Sequence, residues 1–199
     1  MMPSRILTTW QVIMHILNLS EIYVVLSSAY AWMRSPALLA ILLPSEDHIT
    51  SMAQQLRVTP IFIAGTMLCS FGALLRLVCY RHLGQYFTLE LALLKDHKLI
   101  TDGPYKYVRH PSYLGIISFA FGLLMCQFGT GSWWAEGHLW SRTWGKVLGA
   151  VWLTYVAFVV VSVIFIRVQK EDKVLKKTFG DQWVMWSKTT PYRLLPGVY

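Results

Sequence analysis

The amino-acid sequence predicts an all-α, multi-span integral membrane protein with about four transmembrane helices. Hydrophobic residues make up 55% of the 199 positions and charged residues only 14%, whereas about a quarter of the residues of an ordinary soluble domain are charged. Long apolar stretches alternate with a polar, turn-rich insert and a basic C-terminal segment. This composition excludes an ordinary soluble domain and makes nucleic-acid binding a poor explanation of the basic charge.

The spans follow from the distribution of apolar residues. Residues 147–166 carry no charge over twenty positions, which suffices to cross a hydrocarbon core of about 30 Å at ~1.5 Å per residue. Residues 36–43 are apolar but too short to span alone. The four predicted spans are residues 6–32, 60–83, 113–128 and 147–166, the last two forming a hairpin over residues 113–166.

Charge placement predicts the orientation of these spans. Lysine and arginine concentrate between the second and third spans and again after residue 166, and loops rich in these residues stay in the cytosol. Both regions and both termini are therefore expected on the cytosolic side. The net charge of +8 suits an anionic lipid surface.

The polar insert is the expected location of the chemistry. Residues 97–113 read H-K-L-I-T-D-G-P-Y-K-Y-V-R-H-P-S-Y, and Pro104 and Pro111 fix the backbone because proline locks φ and restricts the preceding residue. We expect one functional core, residues 84–199, in which the 84–112 insert and the C-terminal segment form a cytosolic cofactor pocket. Residues 1–83 are expected to form a separate part of N-terminal transmembrane helices.

A second polar pattern begins where the last span ends. If the helix continues past residue 166, Arg167 and Glu171 lie one turn apart on one face. They are either a surface pair, which contributes little, or functional groups that face the insert. The neighbouring apolar residues predict an amphipathic segment on the membrane surface. They are Val168, Leu175, Phe179, Trp183 and Trp186.

These motifs resemble the isoprenylcysteine carboxyl methyltransferase family. The pattern comprises H-x-L-I-T-x-G-P-Y-x-x-V-R-H-P-S-Y-x-G at residues 97–115, R-x-x-x-E-D at 167–172 and F-G-D-Q-W at 179–183. The resemblance covers residues 90–199 and implies a small helical membrane enzyme. Members of the family use S-adenosyl-L-methionine to methylate the C-terminal carboxylate of prenylated cysteines in CaaX-type proteins, in the endoplasmic reticulum membrane with the active site facing the cytosol.

The resemblance also implies roles for individual residues. Arg167 is expected to hold the substrate carboxylate, and Glu171 to contact the methyl donor and complete the catalytic site. Two positions depart from the family pattern: Glu90 replaces a neutral polar residue, and Asp172 replaces the second of two glutamates. The expected cofactor-binding residues are Glu90, His97, Lys98, Leu99, Ile100, Tyr105, His110, Pro111, Ser112, Tyr113 and Glu171.

Elementary chemistry supports an arginine in the substrate role. A C-terminal carboxylate has a reference pKa of about 3.5, so it is already an ionised nucleophile near neutral pH and needs no general base. The enzyme must supply placement, and the planar guanidinium can hold a carboxylate through two parallel hydrogen bonds. Lysine at position 167 is expected to work poorly.

Several residues also have ordinary structural explanations. His97 and His110 can be interfacial hydrogen-bonding residues, and together they lack the further ligands of a zinc site. Tyr107 is expected in the aromatic belt of the membrane interface. Arg76, inside a span, either pairs with another group or lines a lipid tunnel. The three cysteines are expected to be small buried hydrophobes.

Three classes of function remain open from the sequence. The first is methyl transfer to prenylcysteine, with phospholipid N-methylation as a variant that uses an amine acceptor. The second is an NADPH-dependent membrane sterol reductase, whose C-terminal half is similar in layout. The third is a non-enzymatic membrane scaffold. Binding of S-adenosylhomocysteine, of NADPH or of neither distinguishes them.

Overall fold

The fold is all-α, as predicted, in a computed structural model that describes residues 4–43, 56–86 and 98–198; no strand occurs within these ranges. Short turns of 3-10 helix connect several of the helices. The α-helices are α1 (Ser4–Ala29), α2 (Pro36–Leu42), α3 (Pro60–Leu83), α4 (Pro111–Phe128), α5 (Trp133–Glu136), α6 (Thr143–Ser162), α7 (Val168–Phe179) and α8 (Asp181–Thr189).

Within the described ranges, three helical runs are long and apolar enough to cross a membrane: Pro60–Leu83, Pro111–Glu136 and Thr143–Phe179. They contain three of the four predicted spans. The first predicted span forms α1, whose apolar part, His15–Ser27, is shorter. A fourth membrane crossing, the hairpin pairing and the cytosolic orientation therefore stay predictions.

Proline marks the start of α2, α3 and α4, at Pro36, Pro60 and Pro111. Proline suits the first turn because its missing N–H would have no intrahelical acceptor there. The last span does continue past residue 166, through a π-helical stretch, Val163–Arg167, into α7. Arg167 and Glu171 thus lie on one continuous helix, as predicted.

One compact unit comprises Met1–Ile63 and Leu124–Gly149. Its core consists of the buried side chains Val24, Leu39, Leu43, Trp133, Trp134 and Leu139. The polar residues of α1 find partners in this unit: Glu21 accepts a hydrogen bond from the Trp133 backbone N–H at 3.1 Å, and the Asn18 side chain accepts one from Gln127 at 3.2 Å. These contacts explain how α1 tolerates polar residues.

The second unit comprises Ala64–Leu123 and Ala150–Tyr199, and in it α3 and α4 approach closely at glycine. A Cβ on Gly115 would lie 2.8 Å from the Gly72 carbonyl oxygen, and one on Gly122 would lie 2.5 Å from the Gly65 carbonyl oxygen. Small residues let two helix backbones come together. Gly115 and Gly122 therefore face the α3 backbone and leave no open groove between these two helices.

The apolar face of α7 packs against the insert. Val168 is fully buried, and Leu175 and Phe179 pack with Leu99, Ile100 and a cluster of four buried side chains. The prediction that this face lies on the membrane surface is wrong. Helical periodicity identifies residues that share a face, but it does not say whether that face meets lipid or protein. The buried cluster is Cys79, Tyr105, Trp183 and Trp186.

Candidate functional site

The insert is held in a compact turn above the end of α3. Gly103 adopts φ +55°, a conformation open mainly to glycine, and a single 3-10 turn follows over Gly103–Lys106. This turn buries Tyr105, whose backbone carbonyl accepts a hydrogen bond from the Trp186 indole at 3.3 Å. Burial, and next the adjacent Cys79 thiol, raise the pKa of the Tyr105 hydroxyl, so it remains a neutral hydrogen-bonding group.

The end of the insert is fastened to the C-terminal segment. Proline at 111 disfavours helical backbone at His110, so the N–H groups before α4 are available outside the helix. The Arg109 N–H donates to the Tyr192 carbonyl at 2.9 Å, and the His110 N–H donates to the Arg193 carbonyl at 2.8 Å. These two bonds fix the backbone from which the His110 side chain projects.

A buried carboxylate, Asp172, connects these segments. Its oxygens accept from Arg109 at 3.0 Å, from His110 Nε2 at 2.9 Å and from Arg193 Nε at 3.1 Å. Burial alone would raise the pKa of the Asp172 carboxyl, but the hydrogen bond and charge of His110 and the two guanidinium groups hold the pKa below its usual value. Asp172 is therefore ionised and ties α7 to both the insert and the C-terminal segment.

The ring of His110 is oriented by this carboxylate. Because an ionised carboxylate can only accept, we assign the proton to Nε2. The other ring nitrogen, Nδ1, lies 3.9 Å from a carboxylate oxygen of Glu171. The side chain of Glu171 is 30% exposed and lies near the Tyr113 hydroxyl. Asp172 thus acts as a structural anchor, while its neighbour Glu171 keeps access to solvent.

Two arginines complete this site. Arg167 ends the π-helical stretch, is exposed, and lies close enough to Tyr113 for its charge to act on the phenol hydroxyl, as does Arg76. Arg76 also reaches the Ser112 carbonyl and hydroxyl oxygens, both at 3.5 Å, and hydrogen-bonds to Tyr80. Arg76 therefore pairs with polar groups of its own span and of the start of α4.

The structure brings together most of the residues singled out in the sequence. Leu99 and Ile100 pack beside Tyr105, Lys98 is exposed on the insert, and Tyr107 is also exposed. Glu90 and His97 lie outside the described residues. The predicted residues that meet around the start of α4 and the start of α7 are His110, Pro111, Ser112, Tyr113, Arg167 and Glu171.

Sequence reasoning missed the residues that hold this site in place. From the sequence, Asp172 is only a departure from a pattern, and Arg109 and Arg193 have no predicted role in the site. One signal was present: Asp172 is four residues after Val168 and three before Leu175, on the apolar face of α7. A charged residue in that register has to be either exposed or paired in the interior.

All three cysteines are free, Cys79 fully buried and Cys69 and Cys126 partly buried. Within residues 4–43, 56–86 and 98–198, no group of three or more histidine, cysteine or carboxylate side chains could hold a metal ion.

Comparisons with known proteins agree with the sequence motifs. Residues 63–133 match the family described as "Isoprenylcysteine carboxyl methyltransferase (ICMT) family", a range that includes His110 and Tyr113 but not Arg167 or Glu171. No solved structure matches the chain significantly.

Two curated relatives carry the same enzyme name. The chain is 32% identical over 97 residues to "Protein-S-isoprenylcysteine O-methyltransferase" of Schizosaccharomyces pombe, covering 49% of the chain and 33% of that protein. It is 26% identical over 133 residues to "Protein-S-isoprenylcysteine O-methyltransferase B" of Arabidopsis thaliana, covering 64% of the chain and 55% of that protein. The chain thus matches between a third and about half of the length of these relatives. As the motifs predicted, the chain is similar to members of the isoprenylcysteine carboxyl methyltransferase family over part of its length.

Proposed function

We propose that this chain is a membrane enzyme that transfers a methyl group from S-adenosyl-L-methionine to the C-terminal carboxylate of a prenylated cysteine. The observation that carries the proposal is the convergence of His110, Tyr113, Arg167 and Glu171 where the apolar run of α6 passes into the polar α7. A reaction between a lipid-linked carboxylate and a polar donor needs such a boundary. The names of the two relatives support the same chemistry.

The residues present fit the proposed methyl donor. S-adenosyl-L-methionine offers an ammonium group and ribose hydroxyls, which are donors, and a positive sulfonium, which supplies the electrophilic methyl group when bound. Glu171 is an acceptor-only group with 30% of its side chain exposed. His110 and Tyr113 lie beside that carboxylate on one side. The further proposed cofactor contacts are Glu90, His97, Lys98, Leu99, Ile100, Tyr105, Pro111 and Ser112.

Arg167 would bind the reacting carboxylate. The guanidinium keeps its charge at any physiological pH and can hold both carboxylate oxygens at once. No side chain has to remove a proton, because the acceptor is ionised well below neutral pH. The contribution of the protein is then placement of two bound groups in line, an effect that can lower a barrier by roughly 7–11 kcal/mol.

The surface beside Arg167 suits a lipid-linked acceptor. Phe165 and Ile166, the two residues that precede Arg167, are each 60% exposed, and they end the uncharged run of the last span. Apolar side chains exposed at this position can contact acyl or prenyl chains in the membrane. We therefore expect the prenyl group to reach the site from the bilayer, and we propose an endoplasmic reticulum membrane location with the site on the cytosolic side.

The test is methyl transfer by the purified full chain with S-adenosyl-L-methionine labelled in the methyl group. The acceptor is N-acetyl-S-farnesyl-cysteine, and its carboxamide, which cannot form an ester, is the matched control. We expect labelled, base-labile product from the acid and none from the amide. Equal labelling of the two acceptors, or none of the acid by folded protein, would overturn the proposal.

Two further measurements separate the alternatives. Labelling of phosphatidylethanolamine instead of the prenylcysteine would indicate an N-methyltransferase. Thermal stabilisation of the purified chain by NADPH but not by S-adenosylhomocysteine would indicate a reductase. We expect stabilisation by S-adenosylhomocysteine only, since binding to the native state raises the unfolding temperature.

A further inference from the structure

A polar groove of about 360 Å³ lies along α7, away from Arg167 and Glu171. At ~100° per residue, the α7 positions that line it project from roughly the opposite side of the helix to Arg167 and Glu171. The groove is therefore distinct from the proposed methyl-transfer site. Its lining residues are Gln169, Asp172, Lys173, Lys176, Trp183 and Arg193.

The charge in this groove is mostly positive. Lys173, Lys176 and Arg193 contribute three cations, and Lys173 and Lys176 are exposed to solvent. The one carboxylate in the lining, Asp172, already accepts from Arg109, His110 and Arg193. Its negative charge is balanced within that network, so the net field in the groove favours an anion.

A buried donor points to the same kind of ligand. The indole Nε1 of Trp183 is buried and has no hydrogen-bond acceptor, although the side chain lines the groove. Buried indole N–H groups usually have an acceptor. The Lys176 ammonium lies over the Trp183 ring, 6.0 Å from its centre, so a cation stands at the same wall of the groove as this side chain. An anion that offers several acceptor oxygens would suit the cations of the lining.

The position of the groove identifies the source of the anion. Lys173 and Lys176 are seven and ten residues past Ile166 on one continuous helical run, or about 10–15 Å along the axis. Helical side chains tilt toward the N-terminal end of their helix, which here is the end nearer the membrane. We therefore expect their ammonium groups to reach back toward the depth of phospholipid phosphates, where lysine chains commonly extend.

We propose that this groove binds the phosphate of an anionic phospholipid headgroup, held by Lys173, Lys176 and Arg193 and by the indole N–H of Trp183. Basic sites next to a transmembrane helix are typical places for anionic lipid recognition. The proposal does not depend on methyl transfer. A bound lipid would hold the start of α8 and the C-terminal segment against the membrane surface.

The experiment measures lipid retained by the purified full chain in mild detergent, by native mass spectrometry, after titration with phosphatidylglycerol or phosphatidylcholine. The test variant is Lys173→Gln/Lys176→Gln. The matched control is Lys170→Gln/Lys177→Gln, which removes the same charge from exposed positions of α7 outside the groove. We expect wild type to prefer phosphatidylglycerol and the test variant to lose about tenfold or more in affinity, at ~1 kcal/mol per lysine near a lipid phosphate.

The control variant is expected to lose no more than about threefold, since its lysines act only through the general surface charge. Equal losses in the two variants would mean diffuse attraction and would overturn the proposal. If millimolar inorganic phosphate displaces phosphatidylglycerol at equal concentration, the groove takes free phosphate rather than lipid, and the proposal is also overturned.

A second pair of variants tests the indole donor. Trp183→Phe keeps an aromatic ring and removes the N–H group, and we expect about a tenfold loss of phosphatidylglycerol affinity, the usual effect of losing one hydrogen bond to a charged group. Trp186→Phe removes an indole N–H that already donates to Tyr105 and should leave lipid affinity unchanged. Equal affinity in wild type and Trp183→Phe would contradict the assigned role of Trp183.

Discussion

Two adjacent carboxylates, Glu171 and Asp172, differ in what surrounds them. They project about 100° apart around α7, so Asp172 turns into the interior, where it is 6% exposed and meets two guanidinium groups and the His110 imidazole. Glu171 lies at the edge, next to His110 and Tyr113. The position on the helix, more than the residue type, makes one of them an anchor and leaves the other available to a ligand.

The anchor role of Asp172 predicts a large loss of stability on neutralisation. Asp172→Asn removes the charge that balances Arg109 and Arg193, and breaking a buried ion pair typically costs about 3–5 kcal/mol. Thermal or denaturant unfolding in detergent measures the change. Asp181→Asn, an exposed residue at the start of α8, is the control and should cost under about 1 kcal/mol. Similar losses from both variants would show that the buried network adds no special stability.

The proposed role of Arg167 predicts that the planar shape of its guanidinium group matters for activity, as well as its positive charge. Arg167→Lys keeps the positive charge but loses the planar fork, so we expect kcat/KM for the prenylcysteine acceptor to fall about tenfold to hundredfold, the effect of one charged hydrogen bond. Arg167→Ala should fall further. Because Arg167 is exposed, neither change should shift the unfolding temperature by more than about 2 °C. Full activity in the lysine variant would mean that charge alone suffices.

At the scale of elements, the sequence predicts helices well because apolar runs and prolines are local signals. The span predicted over residues 60–83 is the helix observed, and Pro111 starts α4. The neighbour against which each helix face packs cannot be read from the sequence of that helix alone. The glycines of α4 therefore had two possible roles, and only the structure shows that Gly115 meets the backbone of α3. The same reason explains the wrong surface prediction for α7.

The close approach of α3 and α4 predicts the effect of adding one methyl group. In Gly72→Ala, the new Cβ would lie 2.5 Å from the Gly115 carbonyl oxygen and 2.7 Å from the Phe119 backbone nitrogen, so the helices have to separate. We expect a loss of about 1–3 kcal/mol in the free energy of unfolding. Ala73→Leu adds more volume at the next, exposed position of α3 and should cost under about 0.5 kcal/mol.

At the scale of the second unit, residues distant in sequence meet at the site. The insert ends at residue 112, yet its backbone bonds residues 192 and 193, and its side chains bond Asp172. The motifs could predict which residues lie close together, since His110, Tyr113, Arg167 and Glu171 do meet. They could not predict what fastens the insert, because Arg193 carries no local pattern and its partners are tens of residues away.

The hydrogen bonds between the insert and the C-terminal segment predict different results for two truncations. Removing residues 191–199 deletes the acceptors for Arg109 and His110 and the Arg193 guanidinium, as well as the buried Leu194. We expect a loss of about 3 kcal/mol or more and of methyl transfer. Removing residues 196–199 spares these contacts, and the described part of that stretch is exposed. It should leave both properties near wild type, and equal damage from both truncations would contradict the account.

The central claim is that Glu171 and Arg167 serve two ligands at one site. It is tested most directly by measuring S-adenosylhomocysteine binding, as thermal stabilisation of the purified chain, in Glu171→Gln and Arg167→Ala beside wild type. Glu171→Gln should lose about tenfold or more in affinity, the effect of replacing a charged hydrogen bond. Arg167→Ala should bind S-adenosylhomocysteine like wild type and yet fail to methylate the prenylcysteine. Wild-type binding by Glu171→Gln, or wild-type methylation by Arg167→Ala, would contradict the claim.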